Sequence, residues 1–305
     1  MVWLLFLALA MVEVVAHVVT RARVVEEDDW ARAAERVRAE WREGDLVVVA
    51  PDWADPLLRQ HLGDRITLKD AGRSDLAQVS RLWALSIRGH RPAEAPAGAP
   101  EHDEQVGRVR VLRWDMPGDA VLYDLTDHVE EARVAMVEGG REVPCTWRSE
   151  GRPRGGGLGA GPITPAARHV CDARRPWLWV GNTIQDDLDL KPRHCVWQHP
   201  AGPEPIRASF SDVPLGERLV LYADLYYEHE RDRAHGPVHL AAFVDGEEIG
   251  RMVHHDGDGW KRMVARTQRG GERRERGEVT IEVSAPDPNL RSVCWAATTR
   301  GPEAR

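Results

Sequence analysis

"VHLAAFVDGEEIGRMVHH", residues Val238 to His255, decides how the larger part of this chain folds. Two strand-like runs flank Asp245-Gly246. An Asp-Gly pair between such runs marks a β-hairpin, because the tight turn needs positive φ at both central positions. The next stretch, "HHDGDGWKR" (His254 to Arg262), carries a second Asp-Gly turn that should return the chain into "WKRMVART" as another hairpin. The same nine residues hold two His, two Asp and a Trp, so a metal site and a sugar-binding rim compete with the turn. D-G-D-G matches only a fragment of an EF-hand loop, with no bidentate Glu at the twelfth position. His254 and His255, adjacent on a strand, would point to opposite faces. A turn is the simpler reading.

The period-two pattern extends in both directions. "GRVRVLRW", "AVLYDL", "ARVAMV", "WLWVGNT", "HCVWQH", "IRASFSD", "RLVLYADL", "EVTIEVSA" and "RSVCWAATT" are short strand-like segments separated by turns. That spacing predicts an antiparallel β-sandwich over residues 106–305. "RPRGGGLGAGP" (Arg152 to Pro162) reads as a Gly loop; it follows no buried strand and opens no helix, so it is not a phosphate loop.

Towards the amino terminus the period changes. Trp30, Ala34, Val37 and Trp41 fall on one helical stripe behind acids. "LVVVA" (Leu46 to Ala50) reads as a strand buried on both faces, "DPLLRQHLGD" as a short helix, "RITL" as a strand, "SDLAQVSRL" as helical and "RLWALSI" as a second buried strand. This alternation predicts a small parallel α/β unit over residues 25–105, closed by the Pro-rich linker "HRPAEAPAGAPEHDEQ". No dinucleotide or Walker fingerprint follows the first strand. Its carboxyl-end loops hold Asp52, Asp55 and His90 as candidate acid and base groups, with Asp55 before Pro56 reading more simply as a helix cap.

Residues 1–24 open with the apolar run "MVWLLFLALAMVEVVAHVVT", about 30 Å long as a helix and therefore read as a membrane anchor. Glu13 and His17 interrupt it, and no Lys or Arg precedes it; a cleaved signal is the alternative. Arg21 and Arg23 favour a cytoplasmic soluble part by the positive-inside tendency. The four cysteines, Cys145, Cys171, Cys195 and Cys294, favour an extracytoplasmic one, periplasmic or at the cell surface. They form no C-x-x-C pair, so a zinc knuckle is disfavoured. Of three pairings, Cys145 with Cys171 and Cys195 with Cys294 is preferred, because the latter would join "HCVW" to "SVCW" across the sandwich. Closing a loop of about 100 residues is worth about 4 to 5 kcal/mol in the chain-entropy model. Four buried free thiols are the alternative.

A net charge of -8 argues against nucleic-acid binding. Trp outnumbers Phe twelve to three, so most indoles should fill cores and a few should stand exposed as stacking platforms. Trp260, Tyr226 and Tyr227, with Asp256 and Asp258, are the candidate ligand-binding residues, although "YYEHERDRAHG" reads more simply as a solvated loop. No Ser nucleophile elbow, H-E-x-x-H or Cys-His signature is present, which favours a binding protein over an enzyme.

"VDGEEIG", "GW", "EVTIEVSA" and the final "CW", between Val238 and Trp295, together resemble a galactose-binding-like jelly roll of the carbohydrate-binding-module type. The resemblance implies a sandwich that binds glycan through loops or a sheet face, often with a structural calcium ion; no other cofactor is expected. The span followed by "DDWARAAERVRAEWREGDLVVVAPDWADP" is similar to the extracytoplasmic tail of dolichyl-phosphate-mannose-type membrane glycosyltransferases, without their multi-span catalytic core. The expectation is a membrane-anchored extracytoplasmic protein that recognises a glycan or cell-envelope polymer. The alternatives are a non-catalytic accessory or remnant subunit partnering a multi-span envelope glycosyltransferase, and a hydrolase using carboxylates near Asp52 and Asp55.

Overall fold

The structure, a computed structural model, describes residues 2–155, 162–268 and 274–302. The core of the Gly loop "RPRGGGLGAGP" therefore lies outside the described residues. The chain divides into two compact units: residues 1–67 with 79–117, and residues 68–78 with 118–305.

In the first unit, helix α1 (Val2–Arg23) precedes α2 (Glu27–Glu40), β1 (Asp45–Ala50) and α3 (Asp55–Leu62). Strands β2 (Arg81–Ile87), β3 (His102–Val106) and β4 (Val109–Asp115) complete it. α2 carries three acids in its first turn and buries Trp30, Ala34 and Val37 of the expected stripe together with Ala33, whereas Trp41, the fourth expected member, is the half-buried residue that caps the helix. These side chains pack with Leu58 and Leu62 of α3 and with Val47, Val49, Trp83 and Leu85 of the sheet. At the start of β1 the buried Asp45 carboxylate receives Arg81 at 2.6 and 2.8 Å and the Trp83 indole at 3.0 Å.

Several expectations for this part are corrected. The sheet, ordered β1-β2-β4-β3, contains one parallel pair, β1 with β2; β4 pairs antiparallel with β2 and β3, so the unit is mixed rather than parallel. "GRVRVLRW" belongs here, not to the sandwich, and the expected boundary at residue 105 falls within β3. Its alternation is that of a strand whose inner side chains, Val109 and Val111, meet the α/β core. "RITL" forms no strand, and "SDLAQVSRL" is turns leading into β2. Asp55 is the first residue of α3 rather than its cap, with its carboxylate on Arg59 at 2.5 Å.

α1 displays Phe6, Leu7, Leu9, Met11, Val12 and Val14 on its surface. Among the described residues no helix is long and apolar enough to cross a membrane, so a spanning anchor is not shown.

The second unit opens with the one-turn helix α4 (Leu68–Ala71) and resumes at β5 (Val121–Asp124), β6 (Arg133–Glu138), β7 (Arg141–Pro144), β8 (Thr146–Arg148) and β9 (Arg168–Val170). β10 (Trp179–Asp186), β11 (Pro192–Gln198), β12 (Ile206–Pro214) and β13 (Arg218–Leu225) follow. The short helix α5 (Tyr227–Arg231) leads to β14 (Val238–Val244), β15 (Glu247–His254), β16 (Lys261–Arg266), β17 (Arg276–Ser284) and β18 (Val293–Arg300). The strands form two antiparallel sheets. One runs β16-β13-β18-β11-β10-β9-β8 with β5 beside β18; the other runs β15-β14-β17-β12-β6-β7.

The opening hairpin is present: β14 pairs with β15, and Asp245 and Gly246 take φ of 48° and 80°. The second one is not. The turn after His254 connects β15 of one sheet to β16 of the other, since β16 pairs with β13, so the Asp-Gly positions build a crossover between sheets. Between the sheets Leu219, Leu221 and Ala223 of β13 and Val293 and Trp295 of β18 share a core with Leu240, Phe210, Ile281 and Val283. Gln198 links the layers, accepting from the Trp295 indole at 2.9 Å and donating to the Ile206 carbonyl at 2.8 Å. Both disulfides take the preferred pairing, Cys145–Cys171 and Cys195–Cys294.

Candidate functional site

Every residue of β13 is buried, including Tyr222 and Asp224, whose side chains alternate to the side away from the inter-sheet core. Part of the cover is the segment 68–78. Tyr222 donates to Asp75 at 2.8 Å, and burial, then Asp75, push its phenol up to about 12. Trp260 stacks on Tyr222 with ring centres 5.7 Å apart, holds Arg193 5.1 Å from its ring centre, and donates its N–H to the Ser74 carbonyl. Trp260 thus pins a loop. Its ring already has the partners that a sugar would need.

The other expected ligand-binding residues are also engaged internally. Asp256 holds the fully buried Arg291 at 2.5 Å and accepts the His235 N–H. Asp258 accepts the His255 N–H and pairs with Lys261 at 2.7 Å. Tyr226 is buried against Tyr227, whose hydroxyl donates to Glu228. "YYEHERDRAHG" is a solvated loop only in its second part, where Arg231 to Ala234 are exposed; its first part is α5, and Glu230 is fully buried. Such a Glu was invisible in a run whose polarity reads as exposure.

Glu230 Oε1 accepts the N–H groups of Gly257 and Gly259 at 3.2 and 2.7 Å, so α5 and the 255–260 turn form one structure. Beside it stand Asp224 and His254, both 1% exposed at the side chain. The three can each offer a ligand atom within 4.8 Å of the others. His255 faces out, as strand alternation requires. Calcium takes six to eight oxygens. Two carboxylates and an imidazole nitrogen do not fit it.

Six of the twelve Trp are buried, and the exposed ones are Trp3, Trp53 and Trp177. Trp177 is 50% exposed on the turn before β10. That turn is fixed at Cys171 by its disulfide, and the Trp177 carbonyl accepts the Trp197 indole N–H at 3.1 Å. Asp172 accepts Arg175 at 2.9 Å, and backbone and arginine donors hold its carboxyl below the usual range. Arg174 is 92% exposed. The result is a half-exposed indole on a turn held by a disulfide and internal hydrogen bonds, with Asp172 and Arg174 on the same turn. Sequence reading placed "WLWVGNT" wholly in a strand; the only cue that Trp177 differs from Trp179 is Pro176, which breaks the run.

In the first unit the loops after β1 and β2 do approach one another: Arg88 lies 5.9 Å from the Trp53 ring centre. Asp52 is exposed, and Asp55 is committed to Arg59. A carboxylate pair for hydrolysis would require freeing Asp55.

No protein-family model matches the chain, and no curated protein matches it. Among solved structures it is similar to CBM51-2 in complex with GlcNAc and INT domains from Clostridium perfringens ZmpB, at 15% identity over 40% of this chain and 25% of that one, TM-score 0.30. It is similar to CBM51 from Clostridium perfringens GH95 in complex with methyl-galactose, at 7% identity over 39% of this chain and 81% of that one, TM-score 0.28. A third, the carbohydrate-binding module CBM36 in complex with calcium and xylotriose, is 11% identical over 36% of this chain and 78% of that one, TM-score 0.21. The chain thus spans a quarter of the first of these structures. None of these matches supports the resemblance to a glycosyltransferase tail.

Proposed function

We propose that this protein binds a glycan or cell-envelope polymer through its β-sandwich, on the surface carried by Trp177. The observation that supports this most is a half-exposed indole on a disulfide-fixed turn. A rigid ring loses little entropy on binding, and a pyranose presents it with a C–H face while its hydroxyls reach the polar rim. Asp172 is the acceptor there, and Arg174 the donor. Two disulfides support an extracytoplasmic setting, periplasmic or at the cell surface, because such bonds persist under oxidising conditions. The exposed apolar side chains of α1 support attachment to a membrane, which deletion of residues 1–24 followed by membrane fractionation tests.

Glycan-array binding by the full chain tests the ligand. Trp177→Ala should weaken binding about tenfold or more, a loss of about 1.4 kcal/mol, with the thermal midpoint nearly unchanged. Trp260→Ala should retain binding wherever it folds. Loss confined to Trp53→Ala would move the site to the first unit, and no binding by the folded wild-type chain would end the glycan reading.

A further inference from the structure

The strongest feature the glycan reading leaves unused is the buried triad behind the "HHDGDG" turn. We propose that Asp224, Glu230 and His254 form a buried site for one divalent cation of the zinc type, which fastens α5 and the 255–260 turn to the end of β13.

Three observations converge on it. The ligand atoms come from three separate segments, and they gather within 4.8 Å where all three side chains are 0 to 1% exposed. Asp224 Oδ2, Glu230 Oε2 and His254 Nδ1 are buried without hydrogen-bond partners, whereas burial of such groups ordinarily demands one. The remaining atoms are already oriented as supporting contacts orient metal ligands. Glu230 Oε1 takes two backbone N–H groups, Asp224 Oδ1 takes the Leu225 N–H, and His254 Nε2, 2.9 Å from the Gly259 carbonyl, is also the ring nitrogen that lies 4.0 Å from Asp224 Oδ1, so Gly259 orients the imidazole towards the carboxylates.

The donor set selects the ion. Two carboxylates giving one or two oxygens each, plus one imidazole, suit four- or five-fold coordination at about 2.0 to 2.2 Å. An imidazole donor favours zinc and its transition-metal neighbours, whereas calcium and magnesium prefer oxygen shells. A dication also neutralises two carboxylates that burial would otherwise penalise. This assignment does not depend on glycan binding.

The test is calorimetric titration of the chelator-stripped full chain with zinc chloride, and separately with calcium chloride. One zinc per chain is expected with Kd at or below roughly 1 µM, raising the thermal midpoint, with no midpoint shift from millimolar calcium. His254→Gln and Asp224→Asn should each weaken zinc binding by at least about 100-fold. Cobalt(II) substitution should give visible absorption bands that His254→Gln alters. Absence of a stoichiometric zinc event in the wild type would overturn the proposal, as would tighter binding of calcium. So would full-strength zinc binding in His254→Gln, which would put the ion on surface histidines. An Asp224→Asn variant that melts like the wild type with or without zinc would overturn it too, by showing that the neighbouring Asp224 and Glu230 carboxyls share a proton instead of an ion. Should a variant not fold, the wild-type titration and the cobalt spectrum still decide.

Discussion

Single side chains show how burial sets chemistry in this protein. His199 is enclosed beside Trp197, and burial lowers its imidazole to about 4 although the Pro200 carbonyl opposes the shift. The unfolded chain takes up a proton near pH 6.5 that the folded chain refuses until about pH 4. The stability contributed by His199 is therefore complete above about pH 6.5 and falls as pH drops to about 4, by about 3 kcal/mol in all. His169, buried under the Val129 carbonyl, shifts in the same direction. Urea melts at pH 7.5, 5.5 and 4 should show this decline, and His199→Gln should flatten it. An equal slope in the variant would assign the acid sensitivity elsewhere. The two tryptophans of interest separate on the same physical grounds. Trp260→Ala removes a ring stack, an arginine contact and an N–H donor, so it should cost about 2 kcal/mol, below the 3 to 5 of a fully buried Trp. Trp177→Ala removes a half-exposed ring and should cost under about 1 kcal/mol. Denaturant midpoints of the two variants, compared side by side, check that ordering.

Elements were legible where their pattern was local. Asp245-Gly246 announces its hairpin because positive φ is written into the residue types. The buried stripe of α2 and the apolar run of β1 are read equally directly, since each faces a core along its whole length. The second Asp-Gly turn was misread because a turn's residues specify its shape and say nothing of which sheet receives the next strand. "SDLAQVSRL" misled for a related reason: its acid serves long-range partners, Asp75 reaching Tyr222 and Arg300. The Cys195–Cys294 bridge was inferable because "HCVW" and "SVCW" each place a cysteine within two residues of a tryptophan on what prove to be paired strands, β11 and β18. The two bridges should differ in weight. Cys195–Cys294 closes 99 residues and Cys145–Cys171 closes 26. Replacing both cysteines of the long bridge by Ala should therefore cost about 4.7 kcal/mol, against about 3.5 for the short one, in the chain-entropy model. Chemical denaturation of the two double variants measures the difference, and a costlier short bridge would show that native contacts around the Trp177 turn outweigh chain entropy.

At the scale of the whole molecule, the division into units could not be read along the sequence because the chain leaves the first unit and returns to it. Residues 68–78 belong to the β-sandwich unit although β2, β3 and β4 follow them in the first. Within the sandwich unit the segment supplies the Gly72 carbonyl to His194 N at 2.7 Å, Ser74 to Trp260, and Asp75 to Tyr222 and the buried Arg300. Gly72 fits because a Cβ there would meet His194 N at 2.6 Å. A fragment beginning at Gly118 would consequently keep every sandwich strand yet leave Arg300 with Asp119 as its remaining carboxylate partner. Losing one carboxylate from a buried guanidinium, with the Tyr222 and Trp260 contacts, should cost about 3 kcal/mol and lower the thermal midpoint by about 10 °C in a domain of this size. A synthetic peptide of residues 68–78, added in excess, should restore part of that loss by binding the folded fragment alone. A fragment melting with the sandwich transition of the full chain, and indifferent to the peptide, would show that β-sheet pairing carries the unit without its detached segment.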